Sequence, residues 1–132
     1  MVLENLTRNN MEKEFIAYEQ ALALKELGFD EECLGWYVSK TSQTLEIELV
    51  KQENLLRDAI IAPLYQQAFR WFREKYGLHP HICYLDEFEV WHYDIYKLAH
   101  GLWIKPKIRQ KDTYEEVELE CLKKLIEIVK KK

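Results

Sequence analysis

The sequence predicts an α+β fold, a two-layer arrangement with an antiparallel sheet of four to five strands and three helices, in the order α-β-β-α-β-β-(β)-α. Three observations point there. Apolar residues recur at spacings of three and four in three separate segments. Residues 44–50, Thr-Leu-Glu-Ile-Glu-Leu-Val, alternate strictly. Strand-like runs come in adjacent pairs between the helical segments, and hairpins between helices imply antiparallel pairing with helices on one face. A crossover through the second helix leaves room for one parallel pair.

The chain has 132 residues, 48% apolar and 32% charged. That balance supplies enough apolar surface to offset the entropy of ordering. A chain of this size buries roughly two-thirds of its unfolded surface without a disulfide or metal staple. Residues 1–12 read as a flexible tail and 13–132 as one domain, with Met11 available as a second start. Cys33, Cys83 and Cys121 are odd in number, far apart and without a CxxC pair. They read as reduced cysteines of a reducing compartment, not as a disulfide framework. With no signal-like N-terminus and no apolar run near 20 residues, the expected location is cytoplasmic, with no membrane partner.

The first helix is expected from about residue 15 to Leu27, with Ala17, Ala21, Leu24 and Leu27 in phase and Gly28 as the left-handed residue that ends it. Cys33–Val38 and Thr44–Val50 follow as strands, the second with Leu45, Ile47 and Leu49 on one face. Pro63 opens the second helix, where a missing N–H costs nothing, and Gly77 closes it. Tyr65, Phe69, Phe72 and Tyr76 form an aromatic row along it. His81–Leu85 and Phe88–Leu98 are the next strands, joined by an Asp86-Glu87 turn. Trp103 and Ile104 form at most a short edge strand, since Pro106 cannot serve a central one. Thr113 and Glu116 make a T-x-x-E capping box for the last helix, whose stripe is Tyr114, Val117, Cys121, Leu125 and Ile128.

Three constellations can carry function. His79, His81 and Cys83 alternate, so they share a strand face. A two-residue turn at Asp86-Glu87 sets Cys83 opposite Val90, His81 opposite His92 and His79 opposite Asp94, with facing Cβ atoms about 5 Å apart. His79, His81, His92 and Asp94 are then a candidate metal set, because imidazoles with a carboxylate suit Zn²⁺ or another borderline ion. The same groups can act as an acid–base pair near neutral pH. A one-residue slip dissolves the set. The second constellation is basic. Lys105, Lys107, Arg109 and Lys111 alternate after Trp103, a pattern that can hold a phosphate backbone. It can equally be an edge strand guarded by lysines, and a net charge of -4 argues against a dedicated nucleic-acid binder. The third is aromatic: Tyr65, Phe69, Tyr76, Trp91, Tyr93 and Trp103 are candidates for a surface that docks a protein partner or a second copy. No GxGxxG, Walker loop, GxSxG or HExxH is present, so no catalytic residues and no cofactor are assigned.

Three blocks of the chain, Phe15–Glu31, Ala62–Gly77 and the closing helix from Thr113-Tyr114-Glu115-Glu116, resemble a family of small uncharacterised proteins from Bacteroidetes bacteria, their phages and prophages. Ala17 and Glu32 depart from the pattern, standing where proline is expected. The resemblance has no activity or functional residues to carry over. It implies a phage or mobile-element accessory protein that acts by binding a protein partner or by self-association.

Overall fold

The computed structural model describes residues 10–56, 58–97, 102–104 and 113–131, with 102–104 described as backbone only. The fold is α+β with antiparallel sheets, and the chain divides into two compact units, Met1–Gln66 and Gln67–Lys132. The strands do not form one sheet of four to five. They form two sheets of three, one in each unit. Of the expected tail, residues 10–12 form one helical turn, and residues 1–9 lie outside the described residues.

In the first unit helix α1 (Tyr18–Glu26) starts three residues later than its periodicity suggests. Tertiary pairing explains the delay. Phe15 bridges Leu64, the Ile16 N–H donates to Pro63 O and the Tyr65 N–H to Glu14 O. That extended pairing holds residues 14–16 out of the helix. The other end follows the sequence. Gly28 has φ 98°, its N–H donates to Lys25 O, and the Phe29 N–H donates to Leu24 O. This is the Schellman closure, with Phe29 and Leu24 both buried beside it.

Strands β1 (Cys33–Tyr37) and β2 (Leu45–Val50) pair antiparallel, and β3 (Ile60–Ile61) adds to the other edge of β1. A two-residue strand carries no periodicity, which is why β3 has no signature in the sequence. The Gln52 side chain completes its edge: Nε2 donates to Ala59 O and Oε1 accepts the Ile61 N–H. The alternation of β2 fails at its end. The register shifts between the Cys33–Val50 and Gly35–Ile47 pairs. Val50 thereby takes the place expected of Leu49, which is left 59% exposed. At Gly35 an added Cβ would lie 2.6 Å from the Phe15 ring, so only glycine lets that ring seat on the sheet. Tyr37 closes the same face, its hydroxyl donating to Ile16 O at 2.7 Å.

Helix α2 (Tyr65–Tyr76) begins two residues after Pro63, not at it, because Pro63 and Leu64 are held in the pairing with residues 15 and 16. It ends as expected at Gly77, φ 67°. In the second unit β4 (Leu78–Leu85), β5 (Val90–Lys97) and β6 (Leu102–Ile104) form an antiparallel sheet in that order. Helix α3 (Tyr114–Lys130) packs on β5 and β4, with Val117, Cys121, Leu122 and Leu125 fully buried. Thr113 Oγ1 accepts the Glu116 N–H, as a cap should. The Glu116 carboxylate accepts from the Thr113 hydroxyl at 2.9 Å, where the expected capping box uses the Thr113 backbone N–H. No helix among the described residues is long and apolar enough to cross a membrane.

Candidate functional site: a His–Cys–Asp cluster on the β4–β5 hairpin

The β4–β5 pairing is regular over eight consecutive residue pairs, Leu78 with Lys97 through Leu85 with Val90. The connection is a four-residue turn, Asp86–Glu89, not the expected two-residue Asp86-Glu87. Phe88 N–H donates to Leu85 O, and Glu89 takes a positive φ of 52°. No glycine or asparagine is present to form the tighter primed turn. The longer turn moves β5 by two residues relative to the expected register. Because the side-chain period is two, a two-residue shift keeps every side chain on its expected face and changes only its partner.

Cys83 therefore faces His92, and His81 faces Asp94. His79 is not opposite Asp94 but opposite Tyr96, which removes it from the cluster. His81, Cys83 and Asp94 offer one ligand atom each, all within 4.8 Å of one another. His92 joins through Asp94: its Nε2 lies 2.9 Å from Asp94 Oδ1, and the two side chains are 15% and 11% exposed. The cluster is graded in depth, with Asp94 buried, Cys83 and His92 half-buried and His81 exposed. Cys83 shares the histidines' face, as its alternation with them predicts, and the expected metal set of His79, His81, His92 and Asp94 becomes His81, Cys83 and Asp94, with His92 behind the carboxylate.

Among the described residues, the charges that act on the two nearby thiols are carboxylates. Burial, then the Asp94 charge, pushes the Cys83 thiol above its ordinary value. Behind Asp94, on α3, burial pushes the Cys121 thiol far up, with Glu118 and Asp94 adding to it. Glu118 is itself buried. A cation placed among the ligand atoms would favour the thiolate and the carboxylate alike.

The other candidates are placed differently. Tyr65, Phe69 and Tyr93 are buried, so these rings serve the core and present no docking face. Trp91 is half-buried between the Tyr84 and Tyr114 rings, at centroid distances of 5.2 and 5.1 Å. Tyr76 is partly exposed, with Lys75 Nζ 5.7 Å from its ring centroid. Trp103 lies on β6, where only the backbone is described, and pairs with Tyr96. Lys105, Lys107, Arg109 and Lys111 lie outside the described residues. Comparison with protein-family models, with curated proteins and with solved structures finds no match.

Proposed function

We propose that this protein binds a borderline divalent metal ion, Zn²⁺ foremost, through His81, Cys83 and Asp94. The observation that carries the proposal is the approach of three ligand atoms of the right chemistry to within 4.8 Å of one another. Tetrahedral ligands at Zn–N, Zn–S and Zn–O distances of about 2.0–2.3 Å stand roughly 3.3–3.8 Å apart. Small side-chain rotations on a rigid, eight-pair hairpin close that gap. A thiolate and an imidazole select against Mg²⁺ and Ca²⁺, which take oxygen ligands. Uptake has to displace the Cys83 proton, so it releases acid and weakens as pH falls.

The test is competitive titration of metal-stripped protein with Zn²⁺ against a chromophoric chelator. One ion per chain is expected. Cys83→Ser and Asp94→Asn each lose more than the roughly 100-fold that an outer-shell change can cost, while His79→Ala titrates like the unmodified protein. Equal affinity for the unmodified chain and Cys83→Ser would sink the proposal.

A second reading, protein binding of the accessory kind that the resemblance implies, is supported by one feature of the first unit. Met11 and Leu34, 45% and 47% exposed, line an apolar groove of about 340 Å³ with Phe15, Ile47 and Leu64. Residues 1–66 carry 12 acidic against 6 basic side chains. The partner that fits is an apolar segment flanked by Lys or Arg. A photo-crosslinker at position 34 should capture such a segment, and capture of acidic segments instead would refute this reading.

A further inference from the structure

We infer that the centre is an open one: His81, Cys83 and Asp94 hold the ion, His92 positions the Asp94 carboxylate without touching the ion, and a fourth position takes an exogenous neutral nitrogen donor or water. This rests on the metal reading above and goes beyond it.

The geometry separates the two histidines. His81 lies directly across from Asp94 and belongs to the set of mutually close ligand atoms. His92 lies across from Cys83 and is not in that set. Its Nε2 is instead committed to Asp94 Oδ1 at 2.9 Å. That contact is shielded from water on both sides, with exposures of 15% and 11%, where a hydrogen bond is stronger than in solvent. With Oδ1 held, the second carboxylate oxygen is left to face the ion. A ligating carboxylate fixed by a hydrogen bond from a neighbouring side chain is the usual outer-shell arrangement, and losing such a partner costs 10–100-fold in affinity.

Among the described residues three protein ligands come together, which leaves one tetrahedral position for an exogenous donor. Sites that serve only structure are closed by four ligands, and sites that exchange a ligand keep one position open. The depth gradient says where it opens: Asp94 is buried beneath and His81 is exposed, so the free position lies on the solvent side. Charge says what fills it. A divalent ion with one thiolate, one carboxylate and one neutral imidazole is a neutral centre. A neutral donor is therefore favoured over an anion.

Cobalt reports on all of this. The protein is loaded with Co²⁺, and its visible d–d bands and thiolate-to-cobalt charge-transfer band are followed while imidazole is added. His92→Gln keeps an N–H donor, and His92→Ala does not. The inference expects imidazole to shift the d–d bands while the thiolate band persists. His92→Gln should show the parent cobalt spectrum and the same shift, and His92→Ala should bind Co²⁺ 10–100-fold more weakly. The inference is overturned if imidazole leaves the spectrum unchanged, because the site is then closed by a fourth protein ligand, and that ligand is His92 if His92→Gln alters the spectrum at the outset. It is overturned equally if imidazole only bleaches the thiolate band, because the ion is then lost and no position was free. Failure of the unmodified protein to take up Co²⁺ would overturn the metal reading itself.

Discussion

The two hairpins of this chain use the same antiparallel motif for opposite ends. In β1–β2 the shared face receives the Phe15 ring at Gly35, beside the buried Tyr37 and Leu45, and the register breaks, leaving Leu49 in solvent. In β4–β5 the register runs unbroken through eight pairs, and one face carries His81, Cys83, His92 and Asp94. The first hairpin gives up regularity for packing. The second keeps regularity, and regularity is what brings functional groups on two strands to a fixed separation. A face of ionisable groups gains little from apolar burial, so its precision has to come from the backbone ladder and from the apolar residues of α3 that pack on the sheet.

That comparison can be broken at several points. The largest effect is expected from Phe15→Ala, which empties the packed face of β1–β2. It should cost about 3–5 kcal/mol, measured by urea unfolding. A cost below about 1 kcal/mol would mean the ring is not the keystone of that hairpin. Next comes the metal. Zn²⁺ at one hundred times its dissociation constant should add about 2.7 kcal/mol to whatever binds it. Hydrogen exchange should slow over residues 78–97 and stay unchanged over 33–50. Protection in both hairpins, or in neither, contradicts the division of roles. Gly35→Ala adds a Cβ 2.6 Å from the Phe15 ring and should destabilise by about 1–3 kcal/mol through overpacking, whereas Gly77→Ala meets no steric neighbour and suffers only its positive φ.

Smaller effects lie at the ends of α3. Thr113→Ala removes the cap from the Glu116 N–H and should cost about 1 kcal/mol, seen as a fall in Tm, while Thr113→Ser should restore most of it. Smallest is Lys131→Ala. Lys131 and Lys124 lower the Glu127 carboxyl below its usual range, chiefly through the hydrogen bond from Lys131 at 2.8 Å. A lowered folded-state value stabilises above the unfolded value and is lost as pH falls through the folded one. On so exposed a pair the contribution is screened, so the Tm of Lys131→Ala should match the parent's at neutral pH. A clear drop would show that the end of α3 matters more than its exposure implies.

Local chemistry was legible where it acts within a few residues. Gly28, Gly77 and Thr113 end or begin helices as their types dictate, because a left-handed φ or an N-cap hydroxyl needs no distant partner. The α+β class was legible for the same reason, being a sum of local periods. What long-range pairing controls was not: the start of α1, held back by the bridge of Phe15 to Leu64, the two-residue β3, and the bulge that displaced Leu49.

The candidate site lies on the boundary between these two kinds of information. The sequence by itself determined which residues share a face, since alternation with a period of two survives the two-residue shift from the expected register to the real one. It placed His79, His81, Cys83, His92 and Asp94 on one face. Only the tertiary structure decided who meets whom. The four-residue turn at Asp86–Glu89 set Asp94 opposite His81 and Tyr96 opposite His79, and the tertiary packing buried Asp94 while leaving His81 in solvent. A face is a property of the repeat, but a partner is a property of the register, and the register is fixed by a turn whose length the residues flanking it do not specify.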